Sequence, residues 1–200
     1  MQQPGRPREF DPDEVQAKIM QLFWENGYEG TGLSDIITAT GLGKASLYKA
    51  FGNKQAMYIG ALGHYEKLMV DAAVVVLGSD KLDPLARIDA FLSSPIIALR
   101  DHNDKRGCFL CNAAADRASL DDETGAMVRR GYEKMRVATR KSLAQAFPDR
   151  SAEVVSAQAE LVLTIYAGLR VMARAGTSTA LMQSTKAEVI RSLSALAGHC

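Results

Sequence analysis

Residues 31–54 read TGLSDIITATGLGKASLYKAFGNK, and this stretch decides the fold. Leu33 to Thr40 forms a short apolar helix, Gly41-Leu42-Gly43 a turn, and Lys44 to Phe51 a second short helix ending at Gly52-Asn53. Two short helices across a tight glycine-containing turn make a helix-turn-helix, whose second helix can enter a DNA major groove about 12 Å wide. On that second helix Leu47 and Ala50-Phe51 lie three and four residues apart, so they share a face and pack inward. Lys44, Ala45, Tyr48 and Lys49 face elsewhere, with Ser46 beside them in the first turn. Lysines neutralise phosphate, and hydroxyls bond phosphate or base edges. The helix–Gly–helix pattern alone also fits an ordinary solvated hairpin.

The segment from Gly41 to Lys54 resembles the signature of the TetR/AcrR family of bacterial transcription regulators, A-G-V-[ST]-K-G-[ST]-[LIF]-Y-x-[YH]-F-x-[SN]-K-[ED]. Lys44, Leu47, Tyr48, Phe51 and Lys54 fall in register with it. Upstream, Gly27-Tyr28-Glu29-Gly30-Thr31 resembles the family's G-[YF]-x-x-[TA]-[ST] segment. Three positions depart from the pattern. Gly43 stands at the N-cap where the family has Ser or Thr, a change costing only a few tenths of a kcal/mol. Ala50 replaces an aromatic or His, and Gln55 replaces an acid. These departures bear on the operator sequence rather than on DNA binding. The resemblance implies an all-α chain of about nine helices. Residues 1–54 would be the three-helix DNA-binding head, and residues 55–200 an effector-binding and dimerisation domain. It further implies a homodimer on a near-palindromic double-stranded operator, most often a repressor released by a small-molecule effector. Lys44, Ala45, Ser46, Tyr48 and Lys49 would be the recognition residues, with Thr31 and Lys54 on the DNA backbone.

Composition sets the outer limits. Two hundred residues with 47% apolar content suit one large domain or two small ones. No uninterrupted apolar run reaches membrane-spanning length, and the N-terminal MQQPGRPREF lacks the apolar stretch of a secretion signal. Of the three cysteines only Cys108 and Cys111 are close, so no disulfide framework is implied; a reducing cytoplasm and no membrane partner are expected. The net charge is +1, and residues 1–60 hold six basic against seven acidic residues. That balance argues against a nonspecific polyanion binder, so position must supply the electrostatics. Arg6, Arg8, Lys44, Lys49 and Lys54 are the groove-side cations. Gly5-Arg6-Pro7-Arg8 reads as a basic arm able to touch the minor groove or phosphates, or equally as a disordered terminus.

Helix one has a full start signal: Asp11 as N-cap, Pro12 at N1, Glu14 at N3, and Phe10 with Val15 placed for a hydrophobic staple. A fourth helix runs from Lys54 to Leu77. Asp83-Pro84 opens a fifth, which Ser93-Ser94-Pro95 should bend or interrupt. Three further helices are expected over 108–117, 121–147 and 150–175, with a ninth ending near Leu196. In the eighth, residues 161–173 read LVLTIYAGLRVMA, with only Thr164 and Arg170 strongly polar. A helix apolar almost all round must be covered on both sides. Helices eight and nine are therefore expected to pair with their copies through Leu161, Ile165, Leu169, Met172, Val189, Leu193 and Leu196. The alternative is a central helix within a monomer.

Residues 106–112, RGCFLCN, resemble a G-C-[LF]-[LI]-x-N segment of one branch of the same family, where it opens a helix beside the ligand cavity. Cys108 and Cys111 would share a helix face, and Cys108 would lie at a helix N-terminus beside Arg106, a setting that lowers thiol pKa. An oxidant or electrophile sensor follows from that; small apolar groups lining the core are the alternative. His64, His102 and His199 show no metal-ligand spacing, so neither metal nor cofactor is expected. A pocket for a small organic effector would be lined by Tyr65, Phe91, Phe109, Cys111, Tyr132, Met135 and Tyr166. No nucleophile–base constellation or phosphate loop points to an enzyme, Cys108 with a distant His being the sole pair. A DNA-independent helical interaction module is the third class weighed.

Overall fold

The computed structural model describes residues 10–198, which fold into helices and connecting turns with no strand among them. Nine helices follow in order. They are α1 (Pro12–Asn26), α2 (Leu33–Thr40), α3 (Lys44–Phe51), α4 (residues 54–77), α5 (Pro84–His102), α6 (Phe109–Asp116), α7 (Asp122–Ala146), α8 (Ala152–Arg174) and α9 (Thr179–Gly198). The chain divides into two compact units, Met1–His64 and Tyr65–Cys200.

In the first unit, α1 starts as its sequence dictates: Asp11 accepts from the Asp13 N–H at 2.9 Å and Pro12 opens the helix. Val15, Ile19, Phe23 and Trp24 form its buried stripe. Phe23 meets Tyr58 edge-on at 5.1 Å, and Tyr28 meets the same Tyr58 ring at 5.1 Å. Ile36 of α2 and Leu47 of α3 are fully buried. The turn between these two helices needs glycine at Gly41, which takes the left-handed conformation (φ 72°) and returns its N–H to the Ile37 carbonyl at 2.9 Å.

In the second unit, α7 and α8 pack along each other, and α5 packs against α7, α8 and α9. By length and composition α8 could cross a membrane. Here one of its faces is buried, with Val155, Ala159, Val162, Tyr166, Leu169 and Arg170 among its covered residues. Two features depart from the expectations above. The first is α4, which is interrupted by a π turn at Glu66–Val70 between the α-helical stretches Lys54–Tyr65 and Asp71–Leu77. The second is Pro95, which does not interrupt α5. The helix runs unbroken from Pro84 to His102 with Pro95 inside. Pro95 cannot donate to the Phe91 carbonyl, and the Ser94 hydroxyl does so instead, at 2.9 Å. The carbonyl that proline orphans is thereby satisfied from the adjacent residue.

Candidate nucleic-acid interface and effector site

The helix α3 has two faces of opposite character. Leu47 is sealed, Ala50 and Phe51 are half-buried, and Phe51 lies 6.2 Å from the ring of Phe10. Lys44, Ala45, Ser46, Tyr48 and Lys49 are all exposed, as sequence spacing requires. The Lys44 ammonium lies 5.8 Å from the Tyr48 ring, a cation–π distance that keeps both groups on one side. Gly43 caps α3 without a side chain, and no acid occupies the first turn. The first-turn N–H groups therefore have no side-chain acceptor, and the helix dipole there favours negative charge.

One of the expected backbone contacts, Thr31, is placed differently. Thr31 is fully buried, and its hydroxyl donates to the Gly27 carbonyl at 2.8 Å and reaches the Leu22 carbonyl at 3.3 Å. It secures the end of α1 and is not available to DNA; its hydroxyl finds partners inside the chain because α1 leaves terminal carbonyls unmatched. Lys54 is half-buried with its ammonium 4.4 Å from the Tyr28 ring. Arg6 and Arg8 lie outside the described residues.

The second unit gathers the expected effector residues. Tyr65 at the end of the first stretch of α4 donates to Cys108 Sγ at 3.4 Å and meets Phe109 edge-on at 5.7 Å. Cys111 Sγ lies 2.9 Å from the Tyr132 hydroxyl of α7. Phe91 of α5 stacks on Tyr166 of α8 at 4.1 Å. Met135 is buried one turn along α7 from Tyr132. A residue that spacing did not group with them lies beside them: Arg170, only 6% exposed, donates from Nε to the Tyr166 hydroxyl at 3.1 Å. Its signal in the sequence was a lone arginine inside an apolar helix.

Cys108 caps α6, and both it and Cys111 are free thiols. A hydrogen bond from Cys111, then the charge of Arg170 and the Tyr65 hydroxyl, outweigh burial and bring the Cys108 thiol down to about 6. Cys111 moves the other way, because it donates to Cys108 and is itself desolvated. The cation responsible is Arg170 and not the expected Arg106, whose guanidinium is engaged by Asp104 at 2.8 Å. The loop before α6 is drawn onto α8: Arg174 donates to the Arg106 carbonyl at 2.9 Å, and Asn112 donates to it at 3.0 Å. Gly107, at φ 74°, sits so close that a Cβ there would lie 3.1 Å from the Arg170 carbonyl.

The expected interface residues divide. Leu169, Val189 and Leu193 are buried in their own unit, where α9 packs on α5 and α8, so they are committed to the internal core. Ile165 and Leu196 are half-buried, whereas Leu161 and Met172 are exposed. The exposed residues of α8 include Val154, Ala157, Leu161, Thr164, Gly168, Val171 and Ala175 at its C-cap, spaced alternately by three and four.

Residues 17–61 match the family described as bacterial regulatory proteins, tetR family. Over 108 residues the chain is 30% identical to the HTH-type transcriptional repressor ComR of Escherichia coli, covering 54% of this chain and 51% of that protein. Over 119 residues it is 31% identical to the HTH-type transcriptional regulator YezE of Bacillus subtilis, covering 60% of this chain and 61% of that one. The chain thus spans between half and three-fifths of these curated relatives. Among solved structures, a cysteine mutant of the TetR family regulator CifR, complexed with 26bp double-strand operator DNA, superposes with a TM-score of 0.81 at 23% identity over 94% of this chain and 98% of that one. A TetR regulator from Chloroflexus aurantiacus gives 0.79 at 22% identity over 91% and 93%. With the glycine-turned α2 and α3 lying inside the matched residues, the helix-turn-helix segment of this chain is of the tetR family type, and the chain as a whole has the fold of the TetR regulators it superposes on.

Proposed function

We propose that this regulator is a homodimeric repressor that leaves a near-palindromic operator when a small organic effector occupies the second unit. The observation that carries the DNA-binding half is α3 itself: Leu47 sealed on one side, Lys44, Ala45, Ser46, Tyr48 and Lys49 exposed on the other. Lys44 and Lys49 neutralise phosphates, Tyr48 and Ser46 offer hydroxyls to base edges, and Ala45 permits close approach. Lys54, and Arg6 and Arg8 of the N-terminal segment, would add phosphate contacts. The operator-bound CifR mutant and the repressor ComR are similar proteins that favour this reading.

Dimerisation is supported by the outer row of α8, an apolar seam of three–four spacing with Leu161, Val171 and Met172 exposed. A two-fold pair would set two recognition helices on successive turns of DNA. The effector would lie against Tyr65, Phe91, Phe109, Cys111, Tyr132, Met135 and Tyr166, shifting the population toward the DNA-free form. Such a protein works in the cytoplasm, where its operator is.

A second reading keeps the DNA-binding role and replaces the effector with oxidant or electrophile attack at Cys108, with Cys111 beside it. The lowered Cys108 thiol, held by Arg170, Tyr65 and Cys111, favours it. Fluorescence anisotropy on the chain's own upstream DNA tests both. Tight, saturable, salt-sensitive binding is expected for the wild type, and its absence refutes the DNA-binding role. Release by an oxidant that persists in Cys108→Ser with Cys111→Ser removes the second reading.

A further inference from the structure

The effector site contains a buried cation without a carboxylate. Arg170 is buried, and among the described residues its one hydrogen bond is from Nε to the Tyr166 hydroxyl. No carboxylate lies within ion-pair distance of it among the described residues. Asp104, the acid that feels its charge, is already engaged by the fork of Arg106 at 2.8 Å through both Nε and an outer nitrogen. Three other buried or half-buried cations of this unit have acceptors. Arg87 donates to Gln145 and to the Leu82 carbonyl, Lys186 to Asp89, and Lys134 to Glu66 and Asp71. Arg170 alone among these has four N–H groups left for an acceptor.

The surroundings define what that acceptor is attached to. Tyr166, whose ring lies 5.3 Å from the guanidinium, stacks on Phe91, and Tyr65 meets Phe109 edge-on. The fork thus sits at the edge of an aromatic cluster with hydroxyls and thiols beside it. A guanidinium in that setting selects a planar, two-oxygen anion over a neutral group of equal shape.

We propose that Arg170 anchors the effector by its acidic group, so that the site takes a small carboxylate whose apolar body rests on Phe91, Phe109 and Tyr166. This rests on the effector reading above and names its ligand class. It also brings a competition. Cys108, as thiolate, is the internal anion nearest in role, so a bound carboxylate and the Cys108 thiolate share one counter-ion and oppose each other.

The test uses the purified full chain with benzoate and benzamide, and with hydrocinnamate and its amide, followed by thermal shift and calorimetric titration. The acids are expected to bind at least about tenfold more tightly than their amides, a difference of about 1.4 kcal/mol. They should also slow alkylation of Cys108 by iodoacetamide, read by peptide mass spectrometry, while the amides leave it unchanged. Arg170→Lys should keep the charge and lose most of the preference for acids; should that variant not fold, Tyr166→Phe, which removes the Nε acceptor alone, should retain the preference. Equal binding of acids and amides, or binding by the amides alone, overturns the assignment of Arg170 while leaving an effector site intact. No binding by any of the four overturns the carboxylate assignment. Release of DNA by a neutral compound in that case would still uphold the effector reading.

Discussion

Glu66 and Arg130 form a paired contact across the π turn of α4: the carboxylate of Glu66, 5% exposed, receives Arg130 at 2.7 and 3.0 Å while Lys134 closes on its other oxygen at 2.9 Å. Burial pushes the Glu66 carboxyl up, but the bonds from Arg130 and Lys134 win and hold it below its ordinary value. A carboxyl lowered in the folded state contributes stability above its unfolded pKa of 4.5 and loses it as pH falls through the folded value. Glu66→Gln should therefore cost about 1–2 kcal/mol at neutral pH, since Arg130 and Lys134 are partly solvated. The cost should shrink at a pH below the lowered folded value, where the Glu66 carboxyl is uncharged in both the folded and the unfolded chain. Urea melts at the two pH values check this; an undiminished cost at low pH contradicts it.

Ser94 and Pro95 should be coupled energetically. Ser94→Ala leaves the Phe91 carbonyl without its donor and is expected to cost about 1 kcal/mol. In a Pro95→Ala background the backbone N–H returns, and the same substitution should cost close to nothing. A double-mutant cycle by chemical denaturation measures the difference.

On α3 the two faces should separate cleanly. Lys49→Ala should leave the melting temperature unchanged, weaken operator binding, and reduce the slope of log K against log salt by about one. Leu47→Ala should instead destabilise the first unit by about 2–5 kcal/mol through the cavity it creates. A Lys49→Ala protein with an unaltered salt slope removes that contact.

The Cys108 thiol should titrate near 6, so its alkylation rate should be flat at neutral pH and drop as pH falls through that value. Cys111 should stay unreactive over the same range. Because the folded value lies below the ordinary thiol value of 9.0, this group adds stability above pH 9.0 and loses it progressively down to about 6. Arg170→Gln should move the midpoint of alkylation upward; an unmoved midpoint shows that the guanidinium does not hold the thiolate.

Leu161→Glu with Val171→Glu should yield monomers in sedimentation velocity without loss of helical signal, since both side chains are exposed on the chain. Leu193→Ala, a fully buried site, should lower folding stability by about 2–5 kcal/mol. Dimers persisting in the glutamate variant would move the interface elsewhere.

How much of this was legible beforehand follows from how local each signal is. Caps, glycine turns and helical stripes are short-range, so α1, α2 and α3 could be read closely, down to Asp11, Gly41 and the buried Leu47. The long-range pairings were less visible. Thr31 looked like a backbone contact because its hydroxyl's destination, the Gly27 carbonyl, depends on how α1 ends. Pro95 looked like a breaker because the help from Ser94 is a side-chain rotamer. Val189 and Leu193 form a proper apolar stripe, but periodicity cannot say whether a stripe faces its own core or a copy. Arg106 was paired with Cys108 by proximity in sequence, whereas the cation that acts comes from α8, more than sixty residues away.

Gly107 ties two chemistries to one mechanical point. It leads directly into Cys108, and a methyl group added there would meet the Arg170 carbonyl at 3.1 Å on a backbone of positive φ, so the loop would have to shift against α8. Nucleophile and cation would then drift apart together. Gly107→Ala should accordingly act as a single lever on both proposed triggers, dulling thiol reactivity and acid selectivity in the same protein although residue 107 would touch neither reagent.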